Sequence, residues 1–284
     1  MLKLFEPRCK HRHTRAEHPL CFPQELKGGA RPNILVLDIE TAPMEVLVWR
    51  LSGNNYIPPS NVINDYFILS WSYKWLLDKN VYGMVVSNTD VSKRNDKKIL
   101  QSLWTALDEA DIVIAHNGKN FDVKKINSRF LINGFPPPRP YEVIDTLQIC
   151  RSIFGFSSNA LNYLNRILNL DLKVETGGIE LWKQCLAGNQ KALNSLLTYN
   201  KNDVFILEEL YMVLRPWTKS HPNVGLYMEL DKPVCRVCGG TNLTSAGYIR
   251  TPLGKYESLR CSCGAVGRLR KNLLTKEQKD NIVI

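Results

Sequence analysis

Four apolar residues, Ile34-Leu35-Val36-Leu37, run directly into Asp38-Ile39-Glu40-Thr41, and this stretch constrains the fold more than any other. A short apolar run of this kind reads as a buried strand, and on a strand residues two apart point to the same face. Asp38 and Glu40 are therefore expected side by side at the end of a buried strand. Two like charges crowded there are costly unless a cation binds between them, and a divalent metal is the simplest such cation. The competing reading is an exposed strand end carrying two solvated acids.

The segments that follow supply partners for such a strand. Residues 46–51, 66–75 and 81–87 read as further strands, with Ile57-Pro58-Pro59-Ser60 as a loop beside the sheet, since proline cannot donate within a strand interior. Residues 96–110 place Ile99, Leu100, Leu103, Trp104 and Leu107 at the spacing of an amphipathic helix, and Asp111-Ile112-Val113-Ile114-Ala115 is a short buried strand after it. Helices are expected at 123–132, 158–170, 178–186 and 190–214, with a last short strand at 143–146. Strands interleaved with helices in this way predict an α/β core.

Three more carboxylates fall at informative places. Asp122 follows His116-Asn117-Gly118-Lys119-Asn120-Phe121, just past the carboxyl end of a strand, where open α/β sheets hold their ligands. An ordinary helix N-cap is the alternative. Asp145-Thr146 before a helical run reads above all as a capping pair. In the long helix, whose apolar face carries Leu193, Leu196, Leu197, Val204, Leu207, Leu210 and Leu214, Tyr199 and Asp203 stand one turn apart and face the same way. Such a pair is either an ordinary surface feature or part of a site.

Charge and cysteine are unevenly spread. Residues 1–31 hold seven basic against three acidic side chains, residues 32–231 hold 20 against 21, and residues 232–284 hold ten against three, for a formal net charge of +10. The positive charge thus sits at the two ends, which suits flanking modules that hold a polyanion. Six of the eight cysteines cluster at the same ends, which points to metal rather than a disulfide framework. Cys150 and Cys185, in apolar surroundings, read as buried inert thiols. Near the amino end, Cys9, His11 or His13, His18 and Cys21 could form a zinc site, the alternative being a flexible basic arm contacting phosphate through Arg8, Lys10, Arg12 and Arg15. Near the carboxyl end, Cys235-x-x-Cys238-Gly and Cys261-x-Cys263-Gly, separated by 22 residues, read as a structural zinc ribbon. Arg250, Lys255, Tyr256, Arg260, Arg268, Arg270 and Lys271 surround it, groups suited to phosphate and to base stacking. No apolar run reaches the roughly 18 to 20 residues that span a bilayer, and the start lacks a secretory signal, so an intracellular, cytoplasmic protein without a membrane partner is expected.

Taken in order, Asp38-x-Glu40-Thr41, Asn117-x-x-x-Phe121-Asp122 and Tyr199-x-x-x-Asp203 resemble the motifs of the DEDD 3′–5′ exonucleases of the RNase H-like fold, in the branch with Tyr in the third motif. The likeness covers roughly residues 32–216. Residues 71–76, Thr176-Gly177-Gly178 and Leu214-Arg215-Pro216-Trp217 bring it nearer to family B polymerase proofreading domains and to phage-encoded stand-alone exonuclease chains followed by a zinc ribbon. The resemblance implies an RNase H-like mixed sheet flanked by helices over residues 32–218, a basic arm at 1–31 and a basic zinc-ribbon module at 219–284. It also implies two Mg²⁺ or Mn²⁺ ions, which suit an all-oxygen shell and together activate a water and stabilise the departing 3′ oxygen. Asp38 would bridge both ions, Glu40 and Asp203 would complete one, and Asp122 would hold the other through water. Tyr199 would orient the attacking water, while Asn117, Phe121 and Thr41 would position the terminal nucleotide.

The expected function is 3′–5′ exonuclease activity on single-stranded DNA ends, with a DNA polymerase or replication protein as a further partner for proofreading in trans. The same chemistry on RNA, and a non-catalytic adaptor that recruits a polymerase through the ribbon, are the alternatives.

Overall fold

The structure, a computed structural model, describes residues 31–50, 56–172 and 177–283. The amino-terminal Cys9, His11, His13, His18 and Cys21 expectation lies outside them. The described residues form two compact units, Asn33–Leu214 and residues 215–283.

In the first unit, β1 (Ile34–Thr41) is followed by a small hairpin of β2 (Glu45–Val46) and β3 (Val62–Asn64), then by β4 (Ile68–Trp75) and β5 (Tyr82–Val85). Helices α1 (Asn88–Ser92) and α2 (Lys97–Glu109) lead to β6 (Ile112–Ala115), α3 (Asp122–Ile132), β7 (Glu142–Asp145) and α4 (Thr146–Ile153). Helices α5 (Leu161–Ile167), α6 (Ile179–Leu186) and α7 (Gln190–Leu214) complete it. The main sheet has the order β5-β4-β1-β6-β7. Strand β1 pairs antiparallel with β4 and parallel with β6, which pairs parallel with β7, so the sheet is mixed. Its central position explains why Leu35, Val36 and Leu37 are fully buried: both faces of a central strand are covered. This is a mixed, helix-flanked α/β architecture, as expected.

Periodicity locates most elements to within a few residues, and α7 spans the expected 190–214. One strand needs correction. The apolar run at 46–51 predicts a strand, yet only Glu45 and Val46 pair, with Asn64 and Val62, and residues 47–50 form none. Leu47 is 64% exposed and Trp49 wholly so; residues 47–50 find no partner strand among the described residues, and Leu51 lies outside them. The Pro-rich loop lies where the prolines predict it, but it also contains a turn at Pro59–Asn61 that delivers β3 into the hairpin.

In the second unit, β8 (Leu243–Thr251), β9 (Gly254–Cys261) and β10 (Val266–Asn272) form an antiparallel sheet of order β10-β9-β8, followed by α8 (Lys276–Asp280). Helix α8 opens on a capping box between Thr275 and Gln278. No helix among the described residues is long and apolar enough to cross a membrane.

Candidate active site

The site is a consequence of where pairing stops. Strand β1 pairs with β6 only through Val36↔Ile114 but continues beside β4 as far as Thr41. Asp38 and Glu40 therefore lie beyond the carboxyl end of the parallel pair, where open α/β sheets leave a crevice. Across from them β4 presents Ser72 opposite Asp38 and Ser70 opposite Glu40. Both are small hydroxyl side chains and both are fully buried. Helix α7 adds Asp203, and one carboxylate oxygen from each of Asp38, Glu40 and Asp203 lies within 4.8 Å of the others.

Like charges at such separations cost on the order of 4 kcal/mol per pair at an effective dielectric of about 20. With Asp203 buried and Asp38 and Glu40 half-buried, a cation is the natural occupant of the cluster. Its donors are all carboxylate oxygens, the set preferred by Mg²⁺ and Mn²⁺ over softer ions.

Asp122 is close by but plays a different part from these three. The N-cap position of α3 is Phe121, and Asp122 is the first helical residue, so the capping alternative does not hold. Its Oδ1 instead accepts from the Ile39 N–H at 3.2 Å, a donor lying just past the last β1–β6 pair. Burial pushes its carboxyl up to about 7, against the lowering effect of that bond and of its own backbone N–H, with the Asp145 charge adding to the rise. Asp145 is a cap, as its Asp-Thr setting suggested. Its Oδ1 accepts from Leu147 N and Gln148 N of α4. It also holds the loop after β6 through Asn117 N (3.0 Å) and Lys119 N (3.1 Å). That loop is tight: Asn117 has φ +68°, and a Cβ on Gly118 would lie 2.4 Å from the Ala115 Cβ. Phe121 packs partly against the core with the Lys125 ammonium 5.2 Å from its ring.

Tyr199 is half-buried on α7, one turn before Asp203. The Trp182 ring of α6 meets it edge-on at 6.4 Å, and the Trp182 indole N–H donates to the Thr41 carbonyl at 3.2 Å. Trp182 thereby links the tyrosine to the end of β1. Neither it nor Asn200, whose amide reaches Asp38, stands out in the sequence. The signal for Trp182 is an aromatic on the helix preceding α7; for Asn200 it is only a place between Tyr199 and Asp203.

A second cluster lies in the other unit. The sulfurs of Cys235, Cys238, Cys261 and Cys263 all lie within 4.8 Å of one another, with Cys235–Cys263 at 3.8 Å and Cys238–Cys261 at 3.6 Å. Four sulfurs each about 2.3 Å from a tetrahedral zinc stand about 3.8 Å apart. A disulfide requires about 2.05 Å, so the spacing fits a shared cation rather than bonded pairs. Backbone N–H groups of Val237 and Gly240 point at Cys235 and Cys238, each at 3.4 Å, and Gly239 and Gly264 take the positive φ of +72° and +93° that the tight turns need. Shared thiol hydrogen bonds push Cys235 and Cys261 down while raising Cys238 and Cys263. Cys150 and Cys185 are buried, and burial pushes both up to about 11, away from thiolate chemistry.

The sequence profile of the RNase H superfamily matches residues 71–215. The DNA polymerase III of PolC type from Ureaplasma parvum serovar 3 is 32% identical over 101 residues, which cover 35% of this chain and 7% of that protein. The chain thus spans a small fraction of the relative it matches. Among solved structures, the family B DNA polymerase from the hyperthermophilic archaeon Pyrobaculum calidifontis aligns with a TM-score of 0.49 and 14% identity, covering 66% of this chain and 25% of that one.

Proposed function

The chain belongs to the RNase H superfamily, and from that premise we propose that it is a metal-dependent nuclease that removes nucleotides from the 3′ ends of single-stranded DNA. The observation that carries this reading is the convergence of Asp38, Glu40 and Asp203 within 4.8 Å beside a tyrosine one turn from Asp203. Superfamily membership supports phosphodiester hydrolysis with divalent metals. The DEDD-like order of the three motifs supports the 3′–5′ direction, and the relative named as a DNA polymerase supports DNA.

In this reading Asp38, Glu40 and Asp203 hold Mg²⁺ or Mn²⁺, and Asp122 contributes at the edge of the same site. When bound, such ions activate a water and stabilise the departing 3′ oxygen. The chain's own groups do the rest. The Tyr199 hydroxyl orients the water, its ring steadied by Trp182. Asn117, Phe121 and Thr41 position the terminal nucleotide. The four cysteines hold a structural zinc, and the basic sheet around them grips the strand, with proofreading or end processing in trans for a polymerase as the role.

The test is digestion of 5′-labelled single- and double-stranded DNA, and of matching RNA, with Mg²⁺ or Mn²⁺. Wild type should shorten single-stranded DNA stepwise from the 3′ end, and Asp203→Ala should lose at least about 100-fold in rate. Release of label as mononucleotide from the 5′ end, or an Asp203→Ala protein as fast as wild type, would overturn the reading. Faster loss of RNA than DNA would move the substrate to RNA.

A further inference from the structure

Asn200 is fully buried on α7, between Tyr199 and Asp203. Its side-chain Nδ2 donates to Asp38 Oδ2 at 2.6 Å, and its Oδ1 accepts from the Ser70 hydroxyl at 3.2 Å. Ser70 is also fully buried, and in the β1–β4 register it stands opposite Glu40. A carboxylate only accepts, so the amide must turn its NH₂ toward Asp38 and its oxygen toward Ser70. The result is a directional chain from β4 through α7 to β1, Ser70 O–H to Asn200 C=O and Asn200 N–H to Asp38.

We propose that Asn200 is a positioning residue that fixes the plane of the Asp38 carboxylate for metal binding, with Ser70 holding the amide in turn. The proposal rests on reading Asp38, Glu40 and Asp203 as the metal site. Three features support it. The short bond to an anionic acceptor is of the charge-assisted kind, stronger than a neutral pair. The donor is neutral, so it steadies Asp38 in its ionised form without adding another full charge to the site. The bond is made by the same helix that carries Asp203, so the orientation of Asp38 and the placement of Asp203 are set by one rigid element. Outer partners of metal-ligating carboxylates act in this way, and their loss costs about 10- to 100-fold in metal affinity or activity.

The full chain is titrated with Mn²⁺ and the free-ion EPR signal followed, alongside the Mn²⁺ concentration for half-maximal nuclease activity, the KM for oligonucleotide and the melting temperature. Asn200→Leu keeps the side-chain volume and removes both hydrogen bonds. It should weaken Mn²⁺ binding about 10-fold or more and raise the half-activating Mn²⁺ concentration in parallel, leaving KM for DNA unchanged, with much of the rate returning at saturating Mn²⁺. Ser70→Ala should act in the same direction more weakly and add nothing in the Asn200→Leu background, the signature of one connected chain of hydrogen bonds. Mn²⁺ binding and activation by Asn200→Leu equal to wild type would overturn the proposal. So would a loss that appears only in melting temperature or only in KM. If Asn200→Leu does not fold, unaltered Mn²⁺ binding by Ser70→Ala overturns it instead. Asp38→Ala serves as the reference: should it bind Mn²⁺ as wild type does, the metal-site reading itself fails, whereas loss in Asp38→Ala with none in Asn200→Leu defeats the positioning role alone.

Discussion

Asp38, on β1, and Asp122, which opens α3 and reaches the Ile39 N–H of β1, lie near the same end of that strand, yet their surroundings give them different work. Asp38 stands half-buried among acids with an amide donor, while Asp122 is buried against a backbone N–H, its carboxyl pushed up to about 7 by burial. Strand alternation put Asp38 and Glu40 on one face and helix periodicity put Tyr199 with Asp203, but that the two pairs meet was implied only by the resemblance to the DEDD motifs. The clamp by Asn200 was not legible, since Asn200 and Asn202 flank Lys201 with equal claim and only the azimuth of α7 on the sheet chooses between them. The capping alternative for Asp122 failed for a related reason: its bond is to Ile39, 83 residues away, beyond the reach of any local pattern. Tyr199 offers the cleanest test at this scale. Tyr199→Phe removes only the hydroxyl and leaves the ring that Trp182 packs against. The rate at saturating Mn²⁺ should fall on the order of 10²-fold, the lower end of what a positioned acid–base group contributes, with Mn²⁺ binding and melting temperature unchanged. Single-turnover kinetics beside EPR titration would check it; a rate equal to wild type refutes the role.

Helix α7 is the element on which the site depends, and its seating is unusually polar. Strand β4 carries Ser70, Ser72 and Lys74 on the face that α7 covers, all buried. Lys74 Nζ bonds Glu208 Oε2, Glu208 Oε1 accepts from Leu77 N at 2.7 Å, and the Phe205 ring lies 5.5 Å from the ammonium. The ion pair at Glu208 and the Ser70–Asn200 bond about two turns before it fix the register of the helix on the sheet, which an apolar face alone would let slide. Periodicity gave the length of α7 and most of its buried face, because Leu193, Leu196, Val204, Leu207, Leu210 and Leu214 recur at helical spacing and are buried. It gave nothing about Glu208, a charge that any local pattern assigns to solvent. Nor did it give the β2–β3 hairpin, whose pairing joins residues well apart in the chain, Glu45 with Asn64 and Val46 with Val62. Removing one member of a buried pair strands the other, at a cost of about 3–5 kcal/mol. Lys74→Met should therefore lower stability by that amount in urea unfolding of the metal-free protein. Adding Glu208→Gln, which keeps an acceptor for Leu77 N–H, should recover most of the loss. Additive losses would show that the two side chains act separately.

At the scale of the whole molecule, charge and chemistry are divided. The stretch carrying the acids is nearly neutral, with 20 basic against 21 acidic residues over 32–231, whereas residues 232–284 hold ten against three. An acidic cluster repels a phosphate backbone, so affinity has to come from elsewhere, and the sheet around the four cysteines is the described region with basic side chains to spare. The Arg268 guanidinium stacks 3.7 Å from the centre of the Tyr256 ring, and the Lys255 ammonium lies 4.2 Å from that of Tyr248. Those pairings hold two cations against rings, whereas Arg250, Arg270 and Lys271 are exposed and, like the stacked Arg268, face solvent. The cysteine cluster and the basic surplus were both visible as spacing and composition, but which cations stack on which rings depends on the β8–β9–β10 register. Deleting the unit would confound binding with exposed core, so the sharper experiment keeps the fold and removes charge. Replacing Arg250, Arg270 and Lys271 with Gln should reduce the slope of log affinity against log salt for single-stranded DNA by about 0.7 for each phosphate no longer neutralised, about 2 in all. The cleavage rate on a short oligonucleotide at saturating concentration should stay within about threefold of wild type, since Asp38, Glu40, Asp203 and Tyr199 are unchanged. Fluorescence anisotropy across a salt series reads the slope directly. An unchanged slope would mean that the basic sheet meets something other than phosphate, and the polyanion grip would have to be sought among the cations of the remaining chain.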